Sequence, residues 1–91
     1  MPEVVRQVLV ASGVGLHARP AGLFVRAVTE SGHNVTIAKA DGASADGASI
    51  LSVIALGVVH GDELTLTVAG DDAENVADSL EALLLTDHDA A

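Results

Sequence analysis

The chain has 91 residues, 49% of them hydrophobic, with no cysteine and a single aromatic, Phe24. Such a chain is expected to form one domain over 1–91, its core packed from Val, Leu, Ile and Ala with no disulfide or thiolate metal site to staple it. Thirteen Asp and Glu against four Lys and Arg give a formal charge of -9, which argues against nucleic acid and anionic membrane as partners. The first residues show no signal pattern, and the longest apolar stretch, around 53–59, is far short of a bilayer span. A soluble, cytoplasmic protein is expected.

Residues 4–11 form a β-branched and aliphatic run, interrupted by Arg6 and Gln7, and predict a first strand. Ser12-Gly13-Val14-Gly15 is a glycine-punctuated turn. Pro20 suits the first turn of a helix, where its missing N–H is not needed. Ala21, Phe24, Val25 and Val28 then recur at helical spacing until Ser31-Gly32 stops the run. Residues 34–39 alternate as a strand, with Val35 and Ile37 on one face, and Asp41-Gly42 signals a hairpin into a weak third strand over 43–46. Ser49 is placed to cap a short helix through Leu56, ended by Gly57. Residues 63–69 alternate again, with Leu64, Leu66 and Val68 facing one way. Asp71 or Asp72 is expected to cap a last helix whose apolar stripe is Val76, Leu80, Leu83 and Leu84. A polar tail over 86–91 is expected to fray. The order is β-α-β-β-α-β-α, an α+β arrangement in which one sheet is covered by helices. A ferredoxin-like sandwich shares nearly the same order, and the pattern alone does not separate the two.

The chemistry concentrates in Gly15-Leu16-His17-Ala18-Arg19-Pro20-Ala21. With a helix starting at about Ala18, His17 takes the capping position and its ring lies beside unpaired N–H groups. The partial positive charge there disfavours imidazolium and keeps the ring a neutral nucleophile. A phosphoryl group on that ring would meet a helix amino terminus, a favourable site for phosphate, through the backbone at Ala18 and Arg19. The Arg19 guanidinium would add a permanently charged, forked donor. The same stretch also fits a dinucleotide fingerprint, since Gly13-Val14-Gly15-Leu16-His17-Ala18 is G-x-G-x-x-A. Context disfavours that reading. The second strand runs into a hairpin instead of a second crossover helix, the chain cannot supply two mononucleotide halves, and Leu16 and His17 would crowd a pyrophosphate.

The segment Gly15-Leu16-His17-Ala18-Arg19-Pro20-Ala21 is similar to the active-site signature of the HPr family of phosphocarriers. The likeness extends through Gly32 and residues 35–39, Ser49-Ile50-Leu51, and Gly70-Asp71-Asp72. The resemblance implies an open-faced β-sandwich, a four-stranded antiparallel sheet covered on one face by three helices. It implies that His17 accepts a phosphoryl group on Nδ1, supported by Arg19, within the phosphoenolpyruvate-dependent sugar phosphotransferase system. Enzyme I would be the donor and the A domains of sugar permeases the acceptors. The protein would thus be a carrier and a protein substrate, itself no enzyme, monomeric and without a cofactor. A regulatory binding module of the same fold is the alternative, disfavoured because it would not need both His17 and Arg19.

Family partners dock around the active-site His through the first two helices, by apolar contacts ringed with basic residues. Here a compact apolar patch beside His17 is expected from Leu23 on the first helix and Ile50, Leu51 and Ile54 on the second, which has more aliphatics than one buried stripe needs, with Arg19 and Arg26 flanking it. Arg19, Leu23 and Arg26 share one helix face, while Val53 and Leu56 are expected to face the sheet. Ser49 falls where some family members are phosphorylated by a regulatory kinase. The basic residue that often precedes it is replaced here by Ala48, after Gly47, so Ser49 reads as a helix cap. His33, His60 and His88 match no metal spacing and are expected to be solvated. Asp62, Glu63, Asp71, Asp72, Glu74 and Asp78 form no calcium loop and read as solvated faces. No metal is expected.

Overall fold

A computed structural model describes residues 3–10, 18–59 and 61–85, with only the backbone at 18–20. Seven elements follow one another: β1 (Glu3–Leu9), α1 (Ala18–Ser31), β2 (Asn34–Lys39), β3 (Ser44–Asp46), α2 (Ile50–Ala55), β4 (Glu63–Ala69) and α3 (Ala73–Leu85). The four strands form one antiparallel sheet in the order β1-β4-β2-β3. The antiparallel ladder removes the dinucleotide-binding alternative, which needs parallel neighbours at its binding crevice. The strand order removes the ferredoxin-like one, because β4, and not β3, lies between β1 and β2.

Register explains the single core. Val4, Val68 and Val35 sit in one row across the sheet, and Arg6, Leu66, Ile37 and Ala45 in the next. Side chains alternate across a strand, so these rows point together toward the helices. Val8, Val35, Ile37, Leu64, Leu66 and Val68 are all buried, and Phe24, Val28, Val53, Leu80 and Leu84 close over them from the helices. The opposite face, with Val5, Thr36 and Thr67 in one row, has no helix over it among the described residues, and Val5 is 56% exposed.

Arg6 is the exception on the inner face. It lies on the edge strand, where its guanidinium reaches past the core to Asp78 at 2.7 Å and Glu81 at 3.1 Å on α3. Those hydrogen bonds hold its pKa above the usual guanidinium value. Asp78 is therefore an ion-pair partner that ties α3 to β1, and not a purely solvated charge.

The turns follow their residues. The Asp41 carboxylate accepts from the Ala43 N–H at 2.9 Å, an Asx-type turn, and Gly42 takes φ 96. Gly47 hydrogen-bonds the Val35 carbonyl at 2.8 Å. A Cβ there would sit 3.0 Å from Val35, so glycine lets the chain leave β3 close against β2. Before α3, Asp72 has φ 63 and its carboxylate accepts from the Asn75 side-chain amide at 2.8 Å.

Two helical stripes differ from expectation. On α3 the buried face is Ala73, Ala77, Leu80 and Leu84, with Val76 and Leu83 only partly buried at its flank. Those four fall at i, i+4, i+7 and i+11, one face of a helix, and the small alanines set the helix close to the sheet. On α1, Ala21, Phe24 and Val28 are buried while Val25 lies at the margin. Val53 on α2 is fully buried, and Leu56 is partly so.

Candidate functional site

His17 lies outside the described residues, as do the glycine turn before it, His60, His88 and the expected tail. The structure does describe the helix that follows. Helix α1 begins at Ala18, the next residue after His17, and has no acidic residue in its first turn. The backbone N–H groups of Ala18 and Arg19 have no intrahelical acceptor at that position, and Pro20 has no N–H to leave unpaired. The Arg19 side chain is not among the described groups.

Helix α2 is seated against α1. The Cδ1 of Ile50 lies 4.0 Å from the position that a Cβ on Gly22 would take. Ser49 starts α2 as its cap, with an extended backbone and its hydroxyl accepting from the Ser52 N–H at 3.3 Å. At the other end, the Lys39 ammonium approaches the Gly57 carbonyl at 3.5 Å and the Asp62 carboxylate at 3.9 Å. Asp62 also accepts from the Val59 N–H at 2.9 Å. A cation at the C-terminal end of a helix is favourable, and Asp62 is here a partner in that tether rather than a free surface charge.

With Val53 turned inward, the remaining aliphatics of α2 face out. Ile50 is 42% exposed, Leu51 79% and Ile54 40%, and on α1 Leu23 is 38% exposed. Arg26, three residues on from Leu23 in α1, pairs with Glu30 at 3.3 Å, one helical turn on, with both side chains largely exposed. Such a surface pair is worth about 0.5 kcal/mol or less, so it holds Arg26 only loosely. The charge distribution is uneven. None of the 13 acidic residues falls within residues 4–29 or 47–61, which include α2 and α1 up to Thr29. The exposed aliphatics of the two helices thus lie in stretches of sequence without acidic residues, bounded by Glu30 at the end of α1 and by Asp46, whose carboxylate accepts from the Ala48 N–H, just before α2.

Three residues of structural consequence escaped the sequence pattern. Gly22, in the middle of α1, marks the contact with Ile50, and an interior helical glycine is the signal that could have flagged it. Lys39 reads as a strand end, and nothing local in the sequence shows that it reaches the end of α2. His33 is only partly exposed, contrary to its expected solvation. Its Nδ1 lies 2.8 Å from the Ser31 carbonyl and its Nε2 against that of Asp71. The contact with Asp71 spans 38 positions, so no local pattern encodes it. Among the described residues no group of three or more His, Asp or Glu is arranged to hold a metal.

The comparisons agree with this architecture. Residues 4–86 match the family model described as "PTS HPr component phosphorylation site". The chain is 50% identical over 78 residues to a phosphocarrier protein HPr of Streptomyces coelicolor, covering 86% of this chain and 81% of that one. It is 42% identical over 82 residues to the HPr of Haloferax volcanii, covering 89% and 92% respectively. The fold is similar to the crystal structure of an HPr from Bacillus anthracis, with a TM-score of 0.86 and 33% identity, covering 92% of this chain and 99% of that one. The chain belongs to the HPr family of phosphocarriers in the phosphotransferase system.

Proposed function

We propose that this protein takes a phosphoryl group on His17 from Enzyme I and passes it to the A domains of sugar permeases. A neutral ring nitrogen of His17 attacks the donor's phosphorus, and the donor–phosphorus bond breaks as the N–P bond forms. The acceptor's nucleophile then takes the group in the same way, and the imidazole is restored. The observation that supports this reading most is the set of exposed aliphatics on α1 and α2, in stretches of sequence without acidic residues, with α1 starting one residue after His17. There, Leu23, Ile50, Leu51 and Ile54 would form the docking centre and Arg26 its rim. The start of α1, with no acid in its first turn, would hold the phosphate through the N–H groups of Ala18 and Arg19 and the Arg19 guanidinium. The dipole contributes only about 0.3–1 kcal/mol at an exposed site, which stabilises the group without trapping it. The protein acts as a cytoplasmic monomer and a substrate of the relay, with no cofactor. Among the described residues no helix is long and apolar enough to cross a membrane.

The test is incubation with Enzyme I and phosphoenolpyruvate, followed by intact mass. One acid-labile phosphoryl group is expected on the wild type and none on His17→Ala. His33→Ala, His60→Ala and His88→Ala should remain labelled. Full labelling of the His17→Ala protein would refute the assignment.

A further inference from the structure

The C-terminal end of α1 and the turn between β4 and α3 meet at one imidazole. Helix α1 stops at Ser31, where the Ser31 hydroxyl donates to the Val28 carbonyl at 2.7 Å and accepts from the His33 N–H at 3.1 Å. Gly32, at φ 70, turns the chain back in the left-handed manner common after a helix. The ring of His33 then lies between two carbonyl oxygens, Ser31 on one side and Asp71 on the other.

Both neighbours of the ring are acceptors. A neutral imidazole carries one N–H and can satisfy only one of them, leaving a lone pair facing the other oxygen. Imidazolium donates to both. The surroundings favour that form: α1 has no basic residue in its last turn, so its terminal carbonyls meet no other helical cation, and a positive ring is favourable there.

The seat is shaped for the ring. A Cβ on Gly70 would come within 2.7 Å of the His33 Cδ2, and Gly70 has φ 137, a conformation that side chains rarely adopt. A side chain at 70 would force the imidazole to shift from this seat.

We propose that His33 is a protonation-controlled clasp joining the end of α1 to the turn that leads into α3, closed as imidazolium and loosened when the ring gives a proton to solvent. The hydrogen bonds to the Asp71 and Ser31 carbonyls raise the ring's pKa, opposed by partial desolvation and aided by the negative charges of Asp72 and Asp71. Among the described residues no basic side chain lies in the last turn of α1, whose acid near this end, Glu30, is paired with Arg26, and β2 begins with the neutral Asn34. The sign follows from the raised pKa. The clasp's stabilisation is fully present below the unfolded imidazole value of about 6.5 and disappears as pH rises through the folded value.

The experiment compares the wild type with His33→Gln by urea unfolding between about pH 5.5 and about pH 9, alongside an NMR titration of the wild-type ring. The wild-type advantage should be widest at the acid end and close as the ring titrates, and the ring's midpoint should lie above that of an unfolded histidine. Comparison with the variant cancels the titration of groups common to both proteins. A constant difference across the range, or a ring that titrates at or below the unfolded value, would overturn the proposal. Should His33→Gln fail to fold, the wild-type titration with direct detection of both ring N–H protons decides alone. One protonated nitrogen at the acid end would be fatal to the clasp.

Discussion

Leu51 separates folding from docking more cleanly than any other side chain on the α1–α2 face. At 79% exposure it contributes little to the core, so Leu51→Ala should change stability by no more than about 0.5 kcal/mol. Covered by a partner, the same side chain has much to contribute. Truncation to alanine removes three carbons, each worth about 0.8 kcal/mol when fully buried. Four-fifths of the side chain is still available for burial, and contact is never complete, so about 1.5–2 kcal/mol of binding energy should be lost. That corresponds to roughly a 10- to 30-fold rise in Kd. Leu23, only 38% exposed, has less surface left to cover, and Leu23→Ala should raise Kd by a smaller factor while costing more stability. Arg26, on the rim, should mainly slow association at low salt when replaced by alanine. Calorimetric or surface-plasmon titration with Enzyme I across a salt series measures all three. Unchanged affinity in both leucine variants, with their fold intact by circular dichroism, would show that the face is not the docking centre.

Ser49→Ala removes the hydroxyl that accepts from Ser52 and should cost about 0.5–2 kcal/mol, toward the lower end because that bond is long; urea denaturation measures it, and an undiminished midpoint would deny Ser49 its capping role. Gly22→Ala should stabilise the protein by about 0.4–1 kcal/mol through lost freedom of the unfolded chain, since its Cβ would meet Ile50 at 4.0 Å, an ordinary contact. A lower melting temperature would mean that α1 and α2 need the glycine to approach.

Much of this protein is written in short-range pattern. The alternation of Leu64, Leu66 and Val68 predicts β4 with its observed buried face, because a strand's period of two is a local property. Asp41-Gly42 predicts the hairpin between β2 and β3, and Ser49 with Gly57 brackets α2, because turn and cap preferences depend on a few adjacent residues. The signature around His17 identifies the family by residue order alone. The sequence could not place what depends on residues distant in the chain. It did not choose β4 as the partner of both β1 and β2, and the element order left two sandwiches open until the register was known. On α3 it favoured the large Val76 and Leu83, whereas proximity to the sheet rewards the small Ala73 and Ala77. It marked Arg6 as a polar interruption of a strand, and only the packing of α3 beside β1 supplies Asp78 and Glu81. His33 looked like a turn residue for the same reason. Local periodicity reports which face of an element avoids water, but a hydrogen bond between residues 38 positions apart exists only once the sheet has brought two chain corners together.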